Sequence, residues 1–198
     1  MNVEEFVRLS IGSWKSQRSG HNLAFQHFEE VRSTIHIVAL EPDDSRVIEL
    51  CNSYRIDPAR ATHPFAMDWQ GESDWDDDET IEGSCILVPV PDLDRPNCGK
   101  LLRSQGYAET MAAAGEYHMG EDGTFFLQTQ YDRAAAEERI WFANPNLRFR
   151  VSLIKTSNGE GVLTASFASE IRTGISDNDK TKKQAVEMNA DRVSATSS

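Results

Sequence analysis

Residues 137–155 read EERIWFANPNLRFRVSLIK, and the reading of this stretch decides the fold. Side chains alternate across a strand, so Glu138, Ile140 and Phe142 share one face. Beyond the turn signal Asn144-Pro145-Asn146, the residues Arg148, Arg150 and Ser152 share a face opposite Phe149, Val151 and Leu153. Two alternating runs on a short turn predict an antiparallel hairpin. The pattern continues outward through candidate strands over 23–40, 65–75, 79–90, 100–107, 112–119, 124–131 and 161–172. Pro91-Asp92, Asn97-Cys98-Gly99, Gly120-Glu121-Asp122-Gly123 and Asn158-Gly159 punctuate them. Consecutive strands on short turns make a meander, which loses its exposed edges by closing. The prediction is an all-β-dominated chain: an antiparallel up-and-down barrel of about eight to ten strands, with room inside for one small ligand.

Two helices accompany the strands. Asn2 caps the first, with Val3, Phe6, Val7 and Ile11 on one face and Gly12 as the stop. The second opens at Pro42-Asp43-Asp44, carries Val47, Ile48, Cys51 and Tyr54 on one side, and ends before Pro58. Of the 198 residues, 20 are Lys or Arg and 32 Asp or Glu, a formal net charge of −12. Such a chain does not attract a phosphate backbone or an anionic membrane, so neither nucleic acid nor membrane is an expected partner. The longest apolar run, Cys85 to Val90, is too short for a bilayer, and the acidic start shows no export signal. Cys51, Cys85 and Cys98 show no CxxC spacing and fit free thiols in a reducing compartment. From Thr173 onward the chain lacks aromatic residues and large apolar clusters, which predicts a body over 1–172 and a disordered tail over 173–198.

The candidate chemistry lies on the strand faces. Met67, Trp69 and Trp75 share one parity, and Asp68, Gln70, Glu72 and Asp74 the other. Thr164, Ser166, Ala168, Glu170 and Arg172 oppose Leu163, Ala165, Phe167 and Ile171. Taken singly, such strands read as charged face to solvent and apolar face to core, with Glu138 and Arg148 as a surface ion pair. The acidic run Asp74, Asp76, Asp77, Asp78 and Glu79 lacks the glycine and spaced glutamate of a calcium loop. The five histidines show no metal-ligand spacing, so no metal is expected. A GxSxG nucleophile motif is absent as well.

Four blocks go further. They are Ser10-Ile11-Gly12-Ser13-Trp14-Lys15-Ser16-Gln17-Arg18 with His21-Asn22-Leu23, Gly106-Tyr107-Ala108-Glu109 with Gly115-Glu116-Tyr117-His118-Met119, Glu137 to Arg150, and Ala165 to Arg172. In colinear order over about residues 5 to 172, they resemble the S-type (CpeS/CpcS-like) phycobiliprotein chromophore lyases. The family's His-His-Leu is here His21-Asn22-Leu23, and the cysteine often found in its terminal SFCSEIR is here Ala168.

The resemblance implies a lipocalin-like barrel that holds an open-chain tetrapyrrole, a bilin, and attaches it as a thioether to a cysteine of a phycobiliprotein subunit. Phycoerythrobilin or phycocyanobilin would be the bound substrate, with no prosthetic group and with a bilin reductase as donor. Two propionates need guanidinium partners, for which Arg148, Arg150 and Arg18 are the candidates. The conjugated rings suit Met67, Trp69 and Trp75. Buried carboxylates, Glu138 and Glu170, would hold the pyrrole nitrogens protonated and so favour thiolate attack. His21 enters with the motif, and a structural hydrogen bond is the alternative for it and for Arg18. A lipocalin-like carrier that binds the bilin without transferring it needs the same cavity. A hydrolase using Glu138 and Glu170 as acid and base is the weaker rival. The resemblance also implies a cyanobacterial cytoplasm or a plastid stroma, and leaves a homodimer open.

Overall fold

The computed structural model describes residues 1–73, 80–105, 114–159 and 161–174. Trp75, the acidic run around it, Gly106-Tyr107-Ala108-Glu109 and the tail beyond Gly174 lie outside the described residues. Ten strands follow one another: β1 (Gly12–Asn22), β2 (His27–Ala39), β3 (Phe65–Ser73), β4 (Thr80–Pro91), β5 (Cys98–Arg103), β6 (Gly115–Met119), β7 (Phe125–Gln130), β8 (Ala134–Asn144), β9 (Leu147–Thr156) and β10 (Val162–Gly174). Each pairs antiparallel with its neighbours in sequence, and β1 pairs with β10 to close the barrel. The meander is as predicted.

One strand was not anticipated. β1, GSWKSQRSGHN, is too polar to show an apolar face, because its inward positions Ser16, Arg18 and Gly20 meet a polar interior. β2 begins at His27 rather than residue 23, and residues 23–26 form the connecting turn.

Helix α1 (Val3–Ser10) opens on a capping box, in which the Asn2 side chain accepts from Glu5 N and the Glu5 carboxylate accepts from Asn2 N. It plugs one end of the barrel. Phe6 stacks on Phe125 at 4.4 Å and meets Phe142 edge-on, while Val3 and Val7 join the same core. Arg172, reaching in from β10, donates to the carbonyls of Leu9 and Ile11, which are unpaired in the helix itself. Its positive charge also suits that end of the helix.

Helix α2 (Ser45–Ser53), capped by Asp44, packs outside the barrel, covering Val88, Val90 and Leu102 of β4 and β5 with Val47, Leu50 and Cys51. Here Leu50 replaces the predicted Ile48, which lies at the solvent side. No described helix is long and apolar enough to cross a membrane.

Candidate functional site

Between the α1 plug and the opposite end, the barrel encloses a hollow of about 600 Å³. Small-molecule sites typically span ~300–1,000 Å³, so it is large enough for a sizeable ligand. Its two sides differ in chemistry. β1, β9 and β10 contribute Ser16, Arg18, Arg150, Ser152, Ser166 and Glu170, whereas β2, β3 and β4 contribute Val31, Ile35, Met67, Trp69 and Ile81. The first side donates and accepts hydrogen bonds, and the second is mainly apolar and aromatic, with His27, Glu29 and Ser33 of β2 as its polar members.

This division inverts the ordinary reading of the last strands. Arg148, Arg150 and Ser152 point into the barrel, and so do Thr164, Ser166, Ala168 and Glu170. Their apolar partners face outward, where Phe149 packs on Trp141 at 5.6 Å and on Phe167 at 5.7 Å.

A chain of ion pairs forms the floor of the hollow above α1. Arg103 Nη1 donates to Glu138 Oε2 at 3.2 Å, and Arg150 Nη1 to Glu138 Oε1 at 3.4 Å. Arg150 Nε lies 3.5 Å from Glu170 Oε1, and Arg148 Nε donates to Glu170 Oε2. Arg103, Glu138, Arg148 and Glu170 are all buried. Three guanidiniums against two carboxylates give 3 − 2 = +1, a local positive surplus inside a chain of net charge −12.

Registry explains the convergence. Glu170 faces Arg148 on β9 and Ser16 on β1, while Ala168 faces Arg150 and Arg18. The small Ala168 side chain leaves space between those two arginines.

Burial pushes the Glu170 carboxyl up, but the Arg150 and Arg148 guanidiniums outweigh it and hold it below its ordinary range. Burial pulls Arg148 down, to about 10, against the opposing pull of Glu170, and it stays protonated at neutral pH. For Arg103 burial also acts downward, and the Glu138 carboxylate, together with Cys85 and Tyr131, outweighs it. Trp14 adds a further contact, its ring lying 4.5 Å from Arg148 Cζ and 4.3 Å from Arg172 Cζ.

Of the residues expected from sequence, Met67, Trp69, Arg150 and Glu170 line the hollow, and Glu138 and Arg148 line the small void between it and α1. Arg18 stands further up, 3.6 Å from Glu29. His21 does not join them. It takes the outward parity of β1, exposed, and its ring packs against Phe28 at 5.0 Å, so its expected place at the pigment is corrected. Arg103, Ser152 and Cys85 were not anticipated in the hollow. Arg103 carried the same signal as Glu138, a charge in phase with an apolar strand position, here Leu101.

Gly83 serves the apolar side. It pairs with Trp69 across β3 and β4, and a Cβ there would overlap the indole ring. Glycine at this position is what lets Trp69 lie against the wall.

Comparison with known proteins agrees with this fold. The family model described as CpeS-like protein matches residues 2–173. "Chromophore lyase CpcS/CpeS 3" of Trichodesmium erythraeum is 64% identical over 173 residues, covering 87% of this chain and 100% of that one. "Putative phycoerythrobilin lyase CpeS" of Microchaete diplosiphon is 58% identical over 158 residues, 79% of this chain and 71% of the relative. Among solved structures, the S-type phycobiliprotein lyase CPES from Guillardia theta superposes with a TM-score of 0.77 at 50% identity, covering 87% of this chain and 93% of that one. The chain belongs to the CpeS-like protein family.

Proposed function

We propose that this protein is a bilin lyase, which takes an open-chain tetrapyrrole into the hollow and attaches it to a cysteine of a phycobiliprotein subunit. The observation that carries this reading is the buried chain of arginines and glutamates at the floor, with its positive surplus facing a half-apolar cavity. Arg150 and Arg18 would receive the propionates, assisted by Arg103. Met67 and Trp69 would pack on the conjugated rings. Trp75 remains part of the proposal as a further ring contact, and His21 is dropped from the pigment contacts.

Glu138 and Glu170 would accept hydrogen bonds from pyrrole N–H groups and keep the pigment cationic. The acceptor thiolate then adds to the exocyclic carbon of the ring A ethylidene group. A carbon–sulfur bond forms, the neighbouring ring carbon takes a proton, and nothing leaves. The protein contributes position and protonation, and the nucleophile comes from the acceptor.

The names of the relatives support phycoerythrobilin or phycocyanobilin as the pigment. A bilin reductase would supply it, in a cyanobacterial cytoplasm or a plastid stroma.

The test is to mix the protein with phycoerythrobilin and an apo phycobiliprotein subunit, denature, and look for pigment fluorescence on the subunit. Pigment that stays on the denatured subunit supports the lyase. Pigment bound by this protein and never found on the subunit would make it a carrier. A second measurement probes the apolar wall. Gly83→Val should drive the Trp69 indole into the hollow and weaken pigment affinity by about tenfold, with an unchanged far-UV circular dichroism spectrum. Equal affinity would show that Trp69 does not border the pigment.

A further inference from the structure

The hollow is closed at one end by α1, so an incoming thiol has to arrive through the other. The β1–β2 hairpin, running away from α1, forms part of the rim at that end. There β1 and β2 remain paired out to Asn22 with His27. On the hairpin's inner side Asn22, His27 and Glu29 line the hollow. Its tip and outer side are apolar: Leu23 is 51% exposed, Phe25 80% and Phe28 48%. Single exposed apolar side chains are ordinary on a protein surface, but three within six positions on one hairpin are not.

We infer that this hairpin is the lip on which the acceptor subunit docks, through an apolar surface next to its reactive cysteine. The inference rests on the proposed lyase reading and deepens it. The occupant follows from where the lip stands. Its inner face is a wall of the hollow, so whatever sits on it is at the mouth, where the thiol has to enter. A second copy of this chain seated there would stand in the thiol's route. A chain of net charge −12 is repelled by an anionic membrane. The aromatic contact of His21 on Phe28 stiffens the outer face, which reduces the ordering needed on docking.

The experiment uses the whole chain with the double substitution Phe25→Ser and Phe28→Ser. Phe25 is 80% exposed and Phe28 about half exposed on the outside of the barrel, so neither belongs to the core, and a matching far-UV circular dichroism spectrum checks that the double variant keeps the fold. Phycoerythrobilin affinity is measured by absorbance titration, and the initial rate of transfer is followed against apo subunit concentration. The expected result is a KM for the subunit raised about tenfold, with pigment affinity within about twofold of the parent and the same rate at saturation. An unchanged KM would overturn the inference. A parallel loss of pigment affinity would overturn it too, by placing these phenylalanines in the hollow, and so would a change in sedimentation that assigned the lip to a second copy. Absence of any transfer by the parent protein would instead reject the lyase reading itself.

Discussion

Replacing Arg148 with methionine should destabilise the protein by about 3–5 kcal/mol, because it leaves a buried carboxylate without its main partner. Glu170 and Arg148 are each 1% exposed. Glu170 would retain only the longer contact from Arg150 Nε at 3.5 Å. The cation–π contact of Arg148 with Trp14 would be lost as well. The companion variant Arg148→Met/Glu170→Leu removes both charges and should recover to within about 1–2 kcal/mol of the parent, since an apolar pair has no ion to desolvate. Urea unfolding of the two variants checks this. A single variant within about 1 kcal/mol of the parent would mean that the pair is not what holds β9, β10 and the floor together.

The same pair sets an acid limit. Despite burial, the two arginines hold the Glu170 carboxyl below its ordinary 4.5 in the folded state. The folded value is thus lower than the unfolded one. The stabilisation from Glu170 is complete above the unfolded value and drains away as pH falls through the folded one. In Arg148→Met that dependence should shrink, because one of the two guanidiniums that lower the value is gone.

Glu138→Gln should separate binding from chemistry. Glu138 lies between Arg103 and Arg150, at 3.2 and 3.4 Å, and glutamine keeps an acceptor oxygen at nearly the same volume. With one carboxylate left against three guanidiniums the local balance becomes 3 − 1 = +2. A dianionic pigment should therefore bind as tightly as before or more tightly. Its protonated form, however, loses its counter-ion, and proton-dependent steps of this kind are worth roughly 10²–10⁴-fold in rate. Transfer to the acceptor is expected to slow by about 10²-fold while pigment affinity holds, and the absorption band of the bound pigment should report less of the cation. Transfer at the parental rate would exclude Glu138 from the chemistry.

Much of this was legible in the chain because two signals are strong. Period-two alternation with frequent turn residues identifies a meander, and closing it is the simplest way to cover its edges. Glu138 stood out because it shares a face with Ile140 and Phe142, a phase that places a carboxylate indoors. What failed were cases where the interior itself is polar. β1 lines the hollow with Ser16, Arg18 and Gly20, so it has no apolar face for periodicity to detect. On β9 and β10 the usual assignment of faces is reversed by that same polar interior. The family likeness, rather than alternation, pointed inward for Arg148 and Glu170. For His21 the likeness pointed the wrong way, because the parity of β1 puts that ring outside.

The seam between β1 and β10 also bears on how the molecule is made. Ser16 meets Glu170 across it, 170 − 16 = 154 positions apart along the chain. Contacts that distant in sequence form late and slowly, because the loop between them must be ordered first. On the ribosome, Arg148 and Arg150 emerge before the carboxylate that faces them, and no cavity exists until the final strand is released. With the pigment site as proposed, uptake by a growing chain would report completion of the barrel, and bound-pigment fluorescence would serve as a clock for its assembly.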